Sequence, residues 1–592
     1  MLSWADRFPS GHAPHTLVLL ARPIPSGRVA PLLLGISLAF PLPAQGVGGA
    51  WGTYRAFDGS AAGDNLGLAV AGVGDLNGDG YDDLLLGRPG ADPGGRTNAG
   101  SCSVHSGLDG ALLLQIDGLE AGARFGSSAA PAGDVDGDGV PDLLVGAPTA
   151  SPNGLAGAGS AFVHSGATGA PLWRFDGAAA QDRLGNAVAG AGDVDADGTP
   201  DLVVAAWWAD PGGASLAGSA FVYSGADGQQ LHRFDGSALG DTLGGAVAGV
   251  GDLDGDGHDD VAVGAHNADP GGLFSAGSVF VHSGASGQLL LRLDGNNADD
   301  WFGLALTAAG DLDGDGVPDL AVGAENASPG GVHKAGTLRV HSGVTGLLLF
   351  SVDGTTANGF LGHAVAGIDD LSGDGAPDLA VAQDGFPAGG QADAGRVLVL
   401  SGTDGSLLFE STGANAGDRF GSSLAAAGDQ NGDGRPEVAV GADQADPGGL
   451  GEAGSATVLA WFPGMTADAA SFSAAAGGTV QLNIDFPVEE AGARYALLGS
   501  LAGTGPTTIA GIQVPLTSDA LFGLMSSGNA PSVFQNAYGV LDAAGDAAPR
   551  LVVPAGFGAA FVGLTLRLAA VSYTPPAAGR LASVAVAVSI LP

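Results

Sequence analysis

Short apolar runs, broken by glycine, proline and aspartate, recur along most of this chain. Residues 245–250, 260–265, 277–282 and 288–293 illustrate the unit. Each run has strand length, is rich in Val, Leu or alternating Ala, and is bounded by Gly, Asp or Pro. None has the length of a helix. The unit returns seven times at a fixed step of 59 residues, marked by Asp75, Asp134, Asp193, Asp252, Asp311, Asp370 and Asp429. Four antiparallel strands per unit, repeated seven times, predict an all-β seven-bladed β-propeller.

The ends of the array predict how the ring closes. Residues 51–59 (WGTYRAFDG) match the fourth strand of a unit, as in LHRFDG and LLLRLDG. The seventh unit has its first three strands, ending at 453–462, and then changes to PGMTADAAS. The N-terminal strand is therefore expected to complete the last blade and to remove the open edges. The propeller is assigned to residues 45–462. In 463–592 the repeat stops; runs at 479–486, 494–499, 550–553 and 581–590 predict a C-terminal β-sandwich. Residues 1–44 read as an export signal: the apolar run 29–44 follows Arg22 and Arg28 and ends in a small residue before Gln45. No later run is long enough to cross a membrane as a helix.

Charge and composition narrow the class. Acidic residues number 62 against 20 basic ones, a formal charge of −42, so a nucleic-acid footprint is absent. The 107 glycines and 33 prolines fall at fixed repeat positions and mark turns. Cys102 is the one cysteine, so no intrachain disulfide forms, and its repeat equivalents are apolar.

Between the first and second strand of every unit lies a Dx[DNS][GA]DGxx[DE] loop. Oxygen ligands at loop positions one, three, five, seven (a backbone carbonyl) and nine suit Ca²⁺, and the glycine at position six permits the bend. The candidate ligands of the first loop are Asp75, Asn77, Asp79, Tyr81 and Asp83; of the second, Asp134, Asp136, Asp138, Val140 and Asp142. The third offers Asp193, Asp195, Asp197, Thr199 and Asp201; the fourth, Asp252, Asp254, Asp256, His258 and Asp260; the fifth, Asp311, Asp313, Asp315, Val317 and Asp319. The sixth offers Asp370, Ser372, Asp374, Ala376 and Asp378; the seventh, Asp429, Asn431, Asp433, Arg435 and Glu437. Up to seven Ca²⁺ are expected, one per blade. Loops two to five carry four carboxylates each, so loops one, six and seven are expected to bind more weakly. An EF-hand is excluded: loop position twelve is apolar throughout and strands flank the loop. The competing reading is an Asx-type turn without metal.

These motifs resemble the FG-GAP repeats of the integrin α-chain propeller. Phe-Gly stands at 125–126, 302–303 and 420–421, with Leu-Gly in the other four units; Gly-Ala-Pro stands at 146–148 and drifts elsewhere. The resemblance, over about residues 51–462, implies a seven-bladed propeller with calcium in the loop between strands one and two. It also implies that the opposite face meets protein ligands. The DxSxS adhesion motif of integrins has no counterpart here. FG-GAP repeats also accompany a phospholipase that cleaves glycolipid anchors, but its His-rich zinc domain is absent.

Strand alternation puts the acidic loops on one face and the strand two–three and four–one connections on the other. That second face carries Trp207, Trp208, His266, Trp301 and Phe360, a candidate ligand surface, with Asn267, Glu325 and Asp384 at comparable positions. The competing reading is that the tryptophans pack between blades. His105, His164, His282 and His341 share one repeat position, which points to a structural role. GxSxG and HExxH motifs are absent. The expectation is a secreted or cell-surface, monomeric, non-catalytic module for adhesion to an extracellular protein or carbohydrate. The alternatives are an extracellular polysaccharide hydrolase or lyase, and a structural matrix component.

Overall fold

The computed structural model describes residues 49–432 and 434–467 without interruption, and a set of strands between 471 and 591. The expected export signal, 1–44, lies outside the described residues. The fold is a seven-bladed β-propeller. Six four-stranded antiparallel sheets follow one another in chain order. In the fourth blade the strands are Val247–Gly251, Asp260–Ala265, Ser278–His282 and Leu289–Asp294, each within two residues of the run read from the sequence.

Side-chain size sorts the strands by radius. First strands such as VAGVG surround the axis, where neighbouring blades converge. A Cβ at Gly249 would lie 2.6 Å from the Gly190 carbonyl oxygen of the preceding blade, so only glycine fits there. Second strands are buried along their whole length in blades two to seven, for example DVAVGA in the fourth. Fourth strands are largely exposed or half-buried, for example LLLRLD. Among the described residues, each adjacent pair of blades shares one apolar cluster. Between blades three and four it contains Val203, Val222, Phe234, Val261 and Val263. The core is thus a ring of face-to-face sheet contacts.

Blade seven closes as the sequence predicts. Gly49–Asp58 pairs antiparallel with Ser455–Ala467, placing Trp51 opposite Trp461 and Asp58 opposite Ser455. The cluster joining blades seven and one holds Leu66, Leu84 and Leu86 against Ala439, Ala456 and Val458, with Tyr54 and Phe57 packed on it. The strand read as ending at 462 runs on to Ala467, and Gly464–Ala467 leaves the blade to pair with Leu482–Asp485. The boundary at 462/463 therefore falls inside a continuous strand. Farther on, Gly478–Asp485, Arg494–Ser500 and Arg550–Val553 coincide with three of the expected runs; the fourth divides into Ala578–Ala582 and Val586–Leu591. Among the described residues, no helix is long and apolar enough to cross a membrane.

Candidate functional site

Every acidic loop but the sixth opens at a β-bulge at the end of the first strand, where a glycine such as Gly251 (φ 73°) turns the chain; in the sixth the register is unbroken and Asp369 takes the glycine's place. The first aspartate then gathers the loop. Asp252 Oδ1 accepts the Gly255 and Asp256 amides at 2.7 and 3.0 Å, and Oδ2 accepts that of Gly257 at 2.9 Å. Asp254 and Asp256 brace the amides two residues onward. A carboxylate oxygen has more than one lone pair, so these Asx-type bonds and a cation are compatible on the same group. The donor set fits Ca²⁺. Carboxylate oxygens lie within 4.8 Å of one another in Asp134/Asp136/Asp142, Asp193/Asp195/Asp197, Asp252/Asp254/Asp260 and Asp311/Asp313/Asp315. These are the four loops with four carboxylates each.

The other three loops differ. In loop one Asn77 Nδ2 donates to Asp79 Oδ2 at 2.9 Å, and Ser106 Oγ donates to the same oxygen. In loop six Thr403 Oγ1 and Ser401 Oγ donate to Asp374 Oδ2 at 2.8 and 3.3 Å. The Ala376 amide and the Thr403 hydroxyl hold Asp374 below the usual carboxylate range. In these two loops side-chain donors compete with a cation for one carboxylate oxygen, Asp79 Oδ2 or Asp374 Oδ2. In loop seven Arg435 lies over the Trp461 ring; Asp433 lies outside the described residues.

Position nine has a duty the sequence did not reveal. Asp83, Asp142, Asp201, Asp260, Asp319 and Asp378 are 0 % exposed and Glu437 1 %. Asp260 Oδ2 accepts the Leu253 amide at 2.9 Å and Oδ1 accepts the Gly284 amide at 2.8 Å. The same bridge from loop to third–fourth-strand hairpin recurs at Asp83, Asp142, Asp201, Asp319 and Asp378. Burial outweighs these bonds and pushes Asp83, Asp201 and Asp260 up to about 6. Neighbouring loops also touch: the Asp193 amide donates to Asp259 Oδ2 at 2.8 Å, and His258 Nδ1 lies 2.8 Å from the Val194 carbonyl.

On the opposite face four of the five expected aromatic positions form a row. Trp207 and Trp208 stack at 5.8 Å and 18°, Trp207 lies 6.0 Å from His266, and His266 meets Trp301 edge-on at 6.1 Å. Phe360 stands apart from that row, against Gly385. The tryptophans are half-buried and His266 is buried, which pushes its pKa down to about 4. The Arg183 guanidinium sits 3.9 Å from the centre of the Trp208 ring.

A polar cluster continues the row across blades five to seven, and sequence reading found only part of it. His363 Nδ1 lies 2.6 Å from Glu325 Oε2; its Nε2 faces Asp384 Oδ2 at 3.8 Å, and Arg419 approaches the same oxygen at 3.9 Å. Burial acts to lower the His363 pKa, but the Glu325 hydrogen bond and the Asp384 charge prevail and raise it to about 9. His363 and Arg419 were legible only as repeat equivalents of Asn186 and Trp301. Several polar atoms around this face are buried without a hydrogen-bond partner: Trp207 Nε1, Asn326 Oδ1, Gln383 Nε2 and Asp384 Oδ1. Each such group costs about 1–3 kcal/mol.

The histidines at the shared position are structural. Nδ1 of His105, His164, His282 and His341 lies 3.0–3.3 Å from the carbonyl of Gly110, Gly169, Gly287 and Gly346. Cys102 is buried in the cluster between blades one and two.

Comparison with known proteins agrees with this architecture. The FG-GAP repeat family matches residues 67–105, 125–164, 244–282, 302–341 and 420–459. Integrin alpha-V of Gallus gallus is 32% identical over 240 residues, 37% of this chain and 22% of its own length. Integrin alpha-PS2 of Drosophila melanogaster is 31% identical over 247 residues, 38% of this chain and 17% of its own. Phosphatidylinositol-glycan-specific phospholipase D of Bos taurus is 35% identical over 175 residues, 27% of this chain and 21% of its own. The chain therefore spans about a fifth of the length of these relatives. The chain carries FG-GAP repeats on a seven-bladed propeller similar to the N-terminal propeller of integrin alpha chains.

Proposed function

We propose that this chain is a calcium-binding propeller that works outside the cell as a non-catalytic adhesion or ligand-binding module. One observation carries the reading: the two faces are chemically divided. One face presents the acidic loops. The other presents an aromatic row continued by Glu325, His363 and Asp384, with buried polar atoms that lack partners. Ca²⁺ held by the loop aspartates would neutralise carboxylates and tie each first-to-second-strand turn in place. The integrin relatives support an extracellular ligand as partner. Against catalysis stands the engagement of the mouth's acid–base groups with one another: Glu325 and Asp384 both face His363.

The test is retention of the purified chain on arrayed glycans and matrix proteins, in calcium and in chelator, with released products assayed. Saturable retention without product is the expected result. Product release from a polysaccharide would overturn the non-catalytic reading; no retention on any surface would leave a structural role.

A further inference from the structure

We propose that the mouth of the propeller on the face away from the acidic loops is a binding cleft for an uncharged glycan. This assignment rests on the reading of that face as a ligand surface, and it names the ligand class. The first argument is backbone strain. The four–one loops carry Asn65, Arg124, Arg183, Thr242, Trp301, Phe360 and Arg419 at one repeat position, all with φ between 53° and 58° or, for Trp301, 60°. Glycine would adopt this conformation freely, yet every blade keeps a side chain, including a β-branched and two bulky aromatic ones. The same conformation recurs at Asn98, Leu216, Ser275, Lys334, Asp393 and Glu452 in the two–three connections, so side chains held at positive φ mark the loops of this face as a whole.

The second argument is the kind of group assembled there. Trp208, Trp207, His266 and Trp301 follow one another at centroid steps of 5.8, 6.0 and 6.1 Å, comparable with the length of a sugar ring. The half-buried tryptophans offer flat aromatic surface suited to the C–H face of a pyranose, while buried His266 packs between Trp207 and Trp301. Among the unpartnered atoms of this face, Gln383 Nε2 belongs to a fully buried side chain, while Asn326 Oδ1, Asp384 Oδ1 and Trp207 Nε1–H are two acceptors and a donor. Asn326 is 9 % exposed and Asp384 5 %. Sugar hydroxyls both donate and accept, so one ligand class can satisfy all three.

Charge narrows the class further. Glu325, Asp384 and Asp443 line one end; of the arginines on this face, Arg419 faces Asp384 and Arg183 lies on the Trp208 ring, and the whole chain carries a formal charge of −42, which disfavours acidic polysaccharides. Exposed aliphatic side chains on the same face, among them Leu119 and Leu239 in the four–one loops, lie outside this row, so protein docking is measured in parallel as the alternative. The third and sixth repeats, whose Gly-Ala-Pro positions read Ala-Ala-Trp and Ala-Gln-Asp, supply Trp207 and Asp384.

The experiment uses the full chain in calcium, read by tryptophan fluorescence and calorimetry. The probes are cellohexaose, laminarihexaose, xylohexaose and mannohexaose, with an oligogalacturonate as the acidic probe and immobilised collagen and fibronectin in parallel. The expected result is saturable binding of at least one neutral hexasaccharide with a change in fluorescence, and none of the oligogalacturonate. Trp207→Ala and Trp301→Ala should each weaken that binding at least tenfold, and Asp384→Asn several-fold. Leu119→Ala should leave it unchanged, with melting temperatures checked for every variant. Sugar binding indifferent to all three mouth variants would overturn the cleft. Collagen or fibronectin binding that Trp207→Ala abolishes, with no sugar bound, would overturn the glycan assignment and leave the ligand face standing. Binding of no probe would overturn both.

Discussion

Asp260 and Asp315 look alike in the repeat but carry different loads. Asp260 is buried and joins two backbone amides, one in its own loop and one in the adjacent hairpin. Asp315 is exposed and braces only the Val317 amide, while standing with Asp311 and Asp313 in a candidate cation site. Asp260→Ala should cost about 2–4 kcal/mol even in chelator, because it strands two buried donors, and in calcium should also lose the ion held with Asp252 and Asp254. Asp315→Ala should lower the melting temperature in calcium and lose one bound ion, yet match the parent protein in chelator. Calorimetry of both variants under both conditions tests this; equal losses in chelator would contradict it. Trp207→Ala should alter ligand binding more than melting temperature. His363 gives a pH prediction. Glu325, Asp384 and Arg419 face it, and its pKa is raised from 6.5 to about 9. Its contribution is therefore complete below pH 6.5 and is lost as pH rises through about 9, by on the order of 2–3 kcal/mol. His363→Gln should flatten the stability profile between pH 7 and 9.5. Sequence showed Glu325 and Asp384 on this face but not the histidine between them, because their contact joins residues 38 apart in chain.

Strands were the most legible elements. Their bounds follow from runs of Val, Leu and Ala between glycine and aspartate, and the fixed step lets one blade report on all seven. The pairing of Gly49–Asp58 with Ser455–Ala467 was legible too, because the N-terminal segment repeats the fourth-strand pattern that the seventh unit lacks. The continuation of that last strand past residue 462 was not. Composition changes there, but a strand ends where its hydrogen-bond partners end, and Gly464–Ala467 finds a new partner in Leu482–Asp485. Deleting Gly49–Asp58 should leave the outward edge of Ser455–Ala467 unpaired and uncover the cluster between blades seven and one. Size-exclusion chromatography should then show association in place of a discrete species, and limited proteolysis should cut within blade seven. An unchanged elution volume and digestion pattern would count against closure by this strand as a source of stability.

At the scale of the molecule, calcium should act as a ligand of the folded ring. Excess chelator should lower the melting temperature, since a ligand that binds only the native state at a hundred times its Kd stabilises by about 2.7 kcal/mol per site. Titration should show a tight class from loops two to five and a weaker class from loops one, six and seven, where Asn77, Ser372 and Asn431 replace a carboxylate. An unchanged melting temperature, or loop six binding tightest, would refute this. The seven-fold period, the strands, the ring closure and the acidic loops were determined by the sequence alone, because they rest on local spacing and on identity between repeats. Only the tertiary structure decided what sits beside what. It turned Asp260 and its equivalents into buried struts, aligned Trp208, Trp207, His266 and Trp301 across three blades, and set His363 between Glu325 and Asp384. Those neighbours are far apart in the chain, and curvature of the ring, which no repeat encodes singly, brings them together.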